Sequence, residues 1–220
     1  MNIFDILGPV MVGPSSSHTA GAVRIGKVTM KLLGSIPQKA NIYLHGSFAA
    51  TGVGHGTDKA LLAGLLGMEP DDIRIPNSET IAEQEGLEYH FAQRHIRSAH
   101  PNTAYLEVSD GKGKELKLQA SSLGGGRIFI DKIDGITVNV SAEHPTLVVH
   151  NHDEPGHVAA VTTTLAKAQI NIATLALNRA KRGGDAVLVA ETDVDIPLSV
   201  VKTIEQFPGI KKVTYLNMQS

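Results

Sequence analysis

Three serines, a histidine and a threonine follow a Gly-Pro pair near the start of the sequence. This run, Gly13-Pro14-Ser15-Ser16-Ser17-His18-Thr19, leads into a helical pattern from Ala20. The first N–H groups of a helix lack internal partners and carry partial positive charge, so the run could hold an anion such as a carboxylate. One hydroxyl before a helix is usually only a cap. Four hydroxyls with an imidazole exceed that need, and we interpret the run as a candidate functional loop, the serine loop.

A second histidine, His55, lies in a stretch rich in glycine. The run from Gly46 to Gly56 contains four glycines and follows an alternating, strand-like segment at 40–45. Such density favours a loop that lets the backbone approach a ligand closely. We therefore predict a glycine loop that brings His55 to the start of the next helix.

The helix after the glycine loop is predicted from Lys59 to Leu66. Thr57 and Asp58 are suited to cap that helix and to place an acid in its first turn. If it packs on the same sheet as the helix after the serine loop, and with the same polarity, His18 and His55 would meet in one pocket.

The two runs resemble the two signatures of a known enzyme family. The serine loop is similar to the N-terminal signature of the iron–sulfur L-serine dehydratases, also called L-serine deaminases. The run from Gly46 to Ala60 resembles the second signature of that family. With the C-terminal segment described below, the resemblance covers essentially the whole chain and fits the separate beta subunit of the two-chain enzymes.

This resemblance implies a lyase reaction, the deamination of L-serine to pyruvate and ammonia without pyridoxal phosphate. In the family, a [4Fe–4S] cluster with one open iron would act as a Lewis acid on the serine hydroxyl. A positioned base would take the poorly acidic Cα proton. The resemblance leaves open whether a monovalent cation assists, and whether threonine is used as well as serine.

The sequence contains no cysteine. This excludes disulfides and thiolate nucleophiles, and it also excludes a cluster held by thiolates of this chain. If the resemblance holds, the [4Fe–4S] cluster lies on an alpha subunit, which we expect as the partner chain, and this chain itself binds no metal.

The resemblance and the side-chain chemistry together assign candidate roles to the two runs. His18 and His55 are the candidates for proton transfer, and we favour His55 as the base or as the group that orients the substrate. The substrate-binding candidates are hydroxyls and backbone groups of the same runs: Ser15, Ser16, Ser17, Thr19, Gly54 and Thr57.

Composition excludes several other classes of protein. A net charge of −2 and a pI near 6.5 argue against a nucleic-acid footprint, which requires a clustered basic face. No apolar run approaches the ~18 residues of a spanning helix, and the start Met1–Asp5 lacks the features of a signal peptide. We therefore expect a soluble, cytoplasmic protein.

The pattern after the serine loop predicts an amphipathic helix over 20–34. Gly34 is suited to end it. Its basic residues, Arg24, Lys27 and Lys31, are expected on the solvated outer side.

The first domain, residues 1–143, is expected to be an α/β sandwich-like serine dehydratase beta domain of the allosteric-substrate-binding type. Alternating segments predict strands over 87–94, 103–109, 115–121 and 127–132. Their apolar members would form one buried face: Leu106, Val108, Leu116, Leu118, Ile128 and Ile130. The glycines at 124–126 are interpreted as a hinge.

Residues 146–220 follow the order strand, helix, strand, strand, helix, strand, which is the ferredoxin-like arrangement. The fold class is therefore α+β. With Asp153-Glu154-Pro155-Gly156 at its first strand-to-helix turn, this domain resembles the ACT family of amino-acid-sensing modules. The resemblance implies homodimerisation through this domain and an effector site near that turn, between two copies. The matching positions are Asn151, Gly156, His157, Asn171 and Ile172.

Two other functions stay open at this point. The chain could be a regulatory serine-binding or assembly protein without a catalytic role, because a related fold stands beside ACT domains in some phosphoglycerate dehydrogenases. It could also be a hydrolase that uses Ser17 and His18. A hydrolase would need an acidic partner for the histidine and an oxyanion hole.

Overall fold

The computed structural model describes residues 10–217, apart from the side chain of Val53. The start Met1–Asp5, interpreted above as lacking a signal peptide, lies outside the described residues. Within the described part, no helix is long and apolar enough to cross a membrane. The chain divides into two compact units, one up to Asp131 and one from Lys132. The domain limits 1–143 and 146–220 stay predictions.

The first unit alternates helices with strands. A π-helical turn at Ser16–Ala20 is followed by α1 (Gly21–Leu33), β1 (Lys39–Leu44), α2 (Ser47–His55), α3 (Thr57–Leu65), a 3₁₀ turn (Ile75–Asn77), α4 (Ser78–Gln84), β2 (Glu88–Gln93), β3 (Thr103–Ser109), β4 (Glu115–Gly124) and β5 (Arg127–Ile133).

The sheet of this unit is mixed, with the strand order β2-β1-β3-β4-β5. Strand β1 pairs in parallel with β2, which returns through α2, α3 and α4, and pairs antiparallel with β3. Strands β3 and β4 form an antiparallel hairpin, and α1 packs on both of them. The six residues predicted to form the buried face are all buried, so the predicted inner face of the sheet is confirmed.

Helices α1 and α3 cross at two glycines. A Cβ atom built at Gly64 would lie 2.0 Å from the carbonyl oxygen of Val23, and one built at Gly26 would lie 2.3 Å from that of Leu61. Only glycine permits such an approach of the two backbones. The crossing fixes α1, which continues the serine loop, against α3, which follows His55.

Lys27 of α1 corrects one prediction. It was expected on a solvated face with Arg24 and Lys31, but its side chain is buried and pairs with the carboxylate of Glu69. The helical period places Lys27 towards the loop after α3, where an acidic residue compensates the burial of its charge. Arg24 is also engaged, because it donates a hydrogen bond to the carbonyl of Gly126.

The predicted glycine loop is wrong, because residues 47–55 form helix α2. Gly46 has a positive φ of 58°, and a Cβ there would meet the carbonyl oxygen of Pro101 at 2.5 Å. Glycine is therefore required at this position, immediately before the helix begins at Ser47. The other glycines disfavour a helix intrinsically, but burial of Phe48 stabilises it in the fold.

Helix α3 begins at Thr57, two residues earlier than predicted, and its N-cap is Gly56. The prediction that Thr57 caps this helix is wrong, because no side chain forms a cap bond there. Asp58 is confirmed as an acid in the first turn. Helix α4 was not predicted. It is short and buries only Ser78 and Ala82, so its apolar period is weak.

The second unit contains β6 (Ile136–Val140), β7 (Thr146–His152), α5 (His157–Lys167), β8 (Ile172–Arg179), β9 (Asp185–Thr192), α6 (Leu198–Glu205) and β10 (Ile210–Leu216). The sheet order is β10-β7-β9-β8, which confirms the ferredoxin-like prediction. Helices α5 and α6 bury a core with the sheet that includes Leu147, Val161 and Ile204. Strand β6, which the sequence did not predict, contacts β8 and β9.

Candidate active site

The serine loop is a single turn of π-helix rather than an irregular loop. Ser15 precedes the turn in an extended conformation, and its Oγ accepts a hydrogen bond of 3.1 Å from the backbone N–H of His18. The turn closes when the N–H of Gly21 donates to the carbonyl of Ser16, an i to i+5 bond. Such turns are rare and occur often at functional sites. The turn continues directly into α1 and holds His18 in the interior, where it is 8% exposed.

The imidazole of His18 contacts hydroxyl groups on both of its nitrogens. Its Nδ1 lies 3.1 Å from Ser17 Oγ and 3.4 Å from Ser15 Oγ, within the serine loop. Its Nε2 lies 3.1 Å from Ser47 Oγ and 3.0 Å from Thr51 Oγ1, both on α2. The ring therefore joins the two signature runs through side-chain hydrogen bonds.

His18 and His55 meet, as the sequence predicts. Their ring centroids are 5.0 Å apart. Phe48 packs edge-on against the other side of His18 at 5.3 Å, and Thr19 Oγ1 donates a hydrogen bond of 3.4 Å to the carbonyl of His55. The convergence arises because His55 is the last residue of α2 while His18 lies in the turn before α1.

His55 opens onto a cavity of about 210 Å³. Gly13, Thr19, Gly54, His55, Gly56 and Lys59 contribute to its wall. The Nδ1 atom of His55 is buried and has no hydrogen-bond partner, which is uncommon for a buried polar atom. Lys59 adds a positive charge to the wall, although its Nζ also lies 3.6 Å from Glu79.

The electrostatic setting keeps His18 neutral. Burial lowers the pKa of His18 below its usual value of 6.5, the neighbouring His55 lowers it further, and hydrogen bonding with Ser47 opposes the change. Removal of water from a charged imidazole is costly, and a second imidazole repels a proton on the first. The site therefore contains an uncharged His18 at neutral pH.

Four of the six predicted substrate-binding residues do not line the cavity: Ser15, Ser16, Ser17 and Thr57. Ser16 Oγ accepts a hydrogen bond of 3.2 Å from the N–H of Gly125, so the glycine turn after β4, predicted as a hinge, is tied to the serine loop. Thr57 is fully buried, and its Oγ1 has no partner. Thr19 and Gly54, by contrast, line the cavity beside His55.

Ser47 and Thr51 were missed by the sequence analysis. They belong to the site because both contact Nε2 of His18. Their spacing of four residues places them on the same side of a helix, but the glycines around them predicted a loop. The signal was the spacing itself, and it becomes informative only once α2 is known.

The described residues form no metal centre. Residues 10–217 contain no group of three or more His, Asp or Glu that could hold a metal ion, and the whole sequence lacks cysteine. The hydrolase arrangement is also incomplete, because the partners of His18 Nε2 are hydroxyls where a catalytic triad requires an acid.

Comparison with known proteins supports both resemblances, to the serine dehydratases and to the ACT family. Residues 2–89 match the family described as "Serine dehydratase beta chain", and residues 145–209 match the ACT domain. The chain is 41% identical over 213 residues to "Probable L-serine dehydratase, beta chain" of Bacillus subtilis, covering 97% of this chain and 96% of that protein. It is 38% identical to "L-serine dehydratase, beta chain" of Peptoniphilus asaccharolyticus, with 96% of each chain covered.

The chain belongs to the L-serine dehydratase beta-chain family. The match to the serine dehydratase family includes the serine loop, α2 and both histidines. A more distant relative, a D-3-phosphoglycerate dehydrogenase of Methanocaldococcus jannaschii, is 23% identical over 201 residues, which cover 90% of this chain and 37% of that protein.

The ACT domain separates its effector candidates into two groups. Asn151, Gly156 and His157 lie where β7 meets α5, whereas Asn171 and Ile172 lie at the start of β8. The strand register puts these two groups at opposite ends of the sheet. One copy of the domain therefore does not bring all five candidates together.

In the first group, most side-chain polar atoms of Asn151 and His157 already form hydrogen bonds within the domain. Asn151 Nδ2 donates to the carbonyl of His152, and the ring nitrogens of His157 each lie 2.9 Å from a carbonyl oxygen, of His152 and of Pro208. Asn151 Oδ1 alone is buried without a partner. In the second group, Asn171 donates a hydrogen bond of 2.6 Å to Asp193.

Proposed function

We propose that this chain is the beta subunit of an iron–sulfur L-serine ammonia-lyase that converts L-serine to pyruvate and ammonia. The proposal depends on the contact between the rings of His18 and His55. This contact lies beside a cavity lined by residues of the second signature run, namely Gly54, His55, Gly56 and Lys59. Family membership supports the reaction class, and the geometry supports the choice of residues.

A [4Fe–4S] cluster does not fit the residues of this chain. The chain has no cysteine, and its described residues hold no substitute set of ligands. The name "beta chain" of the relatives supports a partner subunit. We assign the cluster to that alpha subunit and confine the roles of this chain to binding, orientation and proton transfer.

His55 is the proposed base. It lines the cavity, and since its Nδ1 is buried, a bound amino acid would meet the imidazole on the Nε2 side. The base would accept the Cα proton of L-serine as the hydroxyl leaves, which gives an aminoacrylate. This product tautomerises to an imine and takes up water to release ammonia and pyruvate without further catalytic groups.

The substrate carboxylate would lie against the positive end of the cavity. Lys59 provides positive charge next to Gly54 and Gly56. The first N–H groups of α3 lie at the same end, where Asp58 Oδ1 already accepts from the N–H of Lys59. Thr19 also lines the cavity, and Ser15 and Ser17 contact the neighbouring His18. The cavity has room for a few water molecules, and hence for an amino acid of the size of serine.

Purified two-chain enzyme tests these roles directly. His55→Ala should lower turnover of L-serine by roughly 10²-fold or more, which is the usual contribution of a general base, and should leave the absorbance of the cluster unchanged. His90→Ala, which replaces an exposed histidine of β2, is the control and should retain full activity.

Near-normal turnover of His55→Ala would remove His55 from the mechanism. Wild-type beta chain that forms no pyruvate with a cysteine-bearing alpha subunit and an intact cluster would overturn the proposed function as a whole. Loss of cluster absorbance in the variant would instead assign His55 a structural role at the subunit contact.

The second candidate function is a regulatory serine-binding protein without a catalytic role. The likeness to a phosphoglycerate dehydrogenase over 90% of this chain favours it. Serine binding to the isolated chain, together with an alpha subunit that is fully active alone, would establish this function in place of the first.

We also propose that the ACT domain pairs two copies of the chain. The two separated groups of effector candidates would come together only between copies, as the ACT resemblance implies. Strand β8 is an edge strand of its sheet and exposes Leu175 and Leu177, which are suitable residues for such a contact.

A further inference from the structure

The hydroxyl of Thr51 has only one proton and two acceptors within reach, the carbonyl oxygen of Ser47 and Nε2 of His18. Thr51 Oγ1 donates a hydrogen bond of 2.9 Å to the carbonyl oxygen of Ser47, one turn earlier in α2. A carbonyl oxygen can only accept. When the proton of Thr51 is on the bond to Ser47, Oγ1 accepts from His18 Nε2 at 3.0 Å, and the proton on that second bond belongs to the imidazole.

We propose that Thr51 is a positioning residue that fixes His18 in the Nε2–H tautomer, so that the Nδ1 lone pair faces Ser17. This inference deepens the proposed function and rests on it only for the catalytic consequence. A neutral imidazole carries one proton, so an Nε2–H group leaves Nδ1 as an acceptor. The burial of His18 beside a second histidine favours the neutral ring that this assignment requires.

Ser47 cannot set the tautomer by itself. Its hydroxyl lies 3.1 Å from His18 Nε2 and 3.4 Å from Thr51 Oγ1, and it could donate to a bare nitrogen or accept from a protonated one. Thr51 differs because its proton is committed to the backbone. The hydrogen bond from Thr51 Oγ1 to the carbonyl oxygen of Ser47 is therefore the contact that selects the tautomer of His18.

The tautomer orients the serine loop in turn. Ser17 donates to His18 Nδ1 at 3.1 Å. Ser15 Oγ already accepts from the N–H of His18 and lies 3.3 Å from Ser17 Oγ. The lone pairs of Ser17 are left to accept a further hydrogen bond. In the opposite tautomer, Nδ1–H would donate to Ser17 and reverse this polarity.

Nitrogen NMR of the full chain labelled with ¹⁵N-histidine tests the tautomer without any need for activity. The signals of His18 are identified by their loss in His18→Gln. In the wild type, His18 should show a protonated Nε2 and an unprotonated Nδ1 at neutral pH. Thr51→Val should give a mixture of both tautomers, and Thr51→Ser, which keeps the hydroxyl, should restore the single form.

Thr203→Val is the matched control. Thr203 is also an exposed helical threonine that donates to the carbonyl of a serine four residues earlier, Ser199, but it lies in α6 of the other unit. It should leave the signals of His18 unchanged. A wild-type His18 protonated on Nδ1, or an unchanged Nε2–H form in Thr51→Val, would overturn the assignment.

Kinetics of the two-chain enzyme test the consequence. Thr51→Val should lower kcat about tenfold, the effect expected from the loss of one hydrogen bond that orients a reacting group, and Thr51→Ser should recover most of it. If the wild-type enzyme forms no pyruvate, the proposed function fails while the NMR result still decides the tautomer. A shifted tautomer with unchanged kcat and KM would show that orientation of Ser17 has no catalytic consequence, which overturns that part of the proposal.

Discussion

The backbone of Gly64 in α3 lies directly against the backbone of Gly26 in α1. A Cβ at Gly64 would meet Val23 O at 2.0 Å and the Cα of Gly26 at 2.8 Å. Gly64→Ala should therefore push the helices apart and lower the free energy of unfolding by about 3 kcal/mol, at the upper end of overpacking effects. Urea unfolding followed by circular dichroism measures this change.

Gly54→Ala is the matched control for this prediction. Gly54 is also helical, but a Cβ there would meet no atom within 4 Å. The alanine should leave the free energy of unfolding unchanged or raise it by about 0.5–1 kcal/mol, because alanine favours a helix more than glycine does. Equal effects of the two substitutions would contradict the close crossing.

The folding stability of the second unit should fall as the pH is lowered below about 6.5. Burial lowers the pKa of His150, while Asp134 opposes this change and Lys212 adds to it. As the pH falls through 6.5, His150 binds a proton in the unfolded chain but not in the folded chain. The free energy of unfolding therefore decreases.

Replacement of His150 by phenylalanine checks this pH dependence. Neither ring nitrogen has a hydrogen-bond partner, so His150→Phe removes a titrating group without breaking a hydrogen bond. It also removes the 3.6 Å contact between Nε2 and the carboxylate of Asp134. The slope of unfolding free energy against pH just below 6.5 should decrease by up to about 1.4 kcal/mol per pH unit. His144→Phe, at an exposed position, should keep the wild-type slope. An unchanged slope in His150→Phe would contradict the prediction.

Leu177 on the edge strand β8 should contribute to self-association of the chain. Leu177→Lys would place a charge on the strand edge that we propose to pair two copies, and sedimentation velocity should then show a monomer where the wild type shows a dimer. Leu123→Lys is the control, because Leu123 is equally exposed at 44% but belongs to the first unit. A wild-type chain that is monomeric at high micromolar concentration would remove the proposed pairing.

The sequence predicted the second unit more accurately than the first. Its strands alternate cleanly and its turns carry Gly, Pro and Asp, so local preference and tertiary packing agree. The predicted strand Ile210–Leu216 has the observed limits. In the first unit, α2 was missed because local preference disagrees with packing: glycines indicated a loop, while burial of Phe48 against His18 requires a helix.

The sequence predicted that His18 and His55 converge, but it did not predict the contacts around them. The convergence of His18 and His55 followed from their matching positions ahead of two helices. The buried environment of Lys27 could not be predicted, because its partner Glu69 is 42 residues away. The contacts of Thr51 with His18 were equally hidden, since they depend on a helix that composition disfavours.

The π-helical turn at Ser16–Ala20 also determines the rotational phase of the serine loop relative to α1. Successive residues of an ordinary α-helix are offset by about 100°, and the i to i+5 closure accommodates one residue more than an α-turn does. A deletion of a single residue in this turn would let α1 extend regularly towards the N-terminus. The imidazole of His18 would then rotate away from α2 by roughly that angle. The length of five residues is therefore itself a requirement for His18 and His55 to face each other.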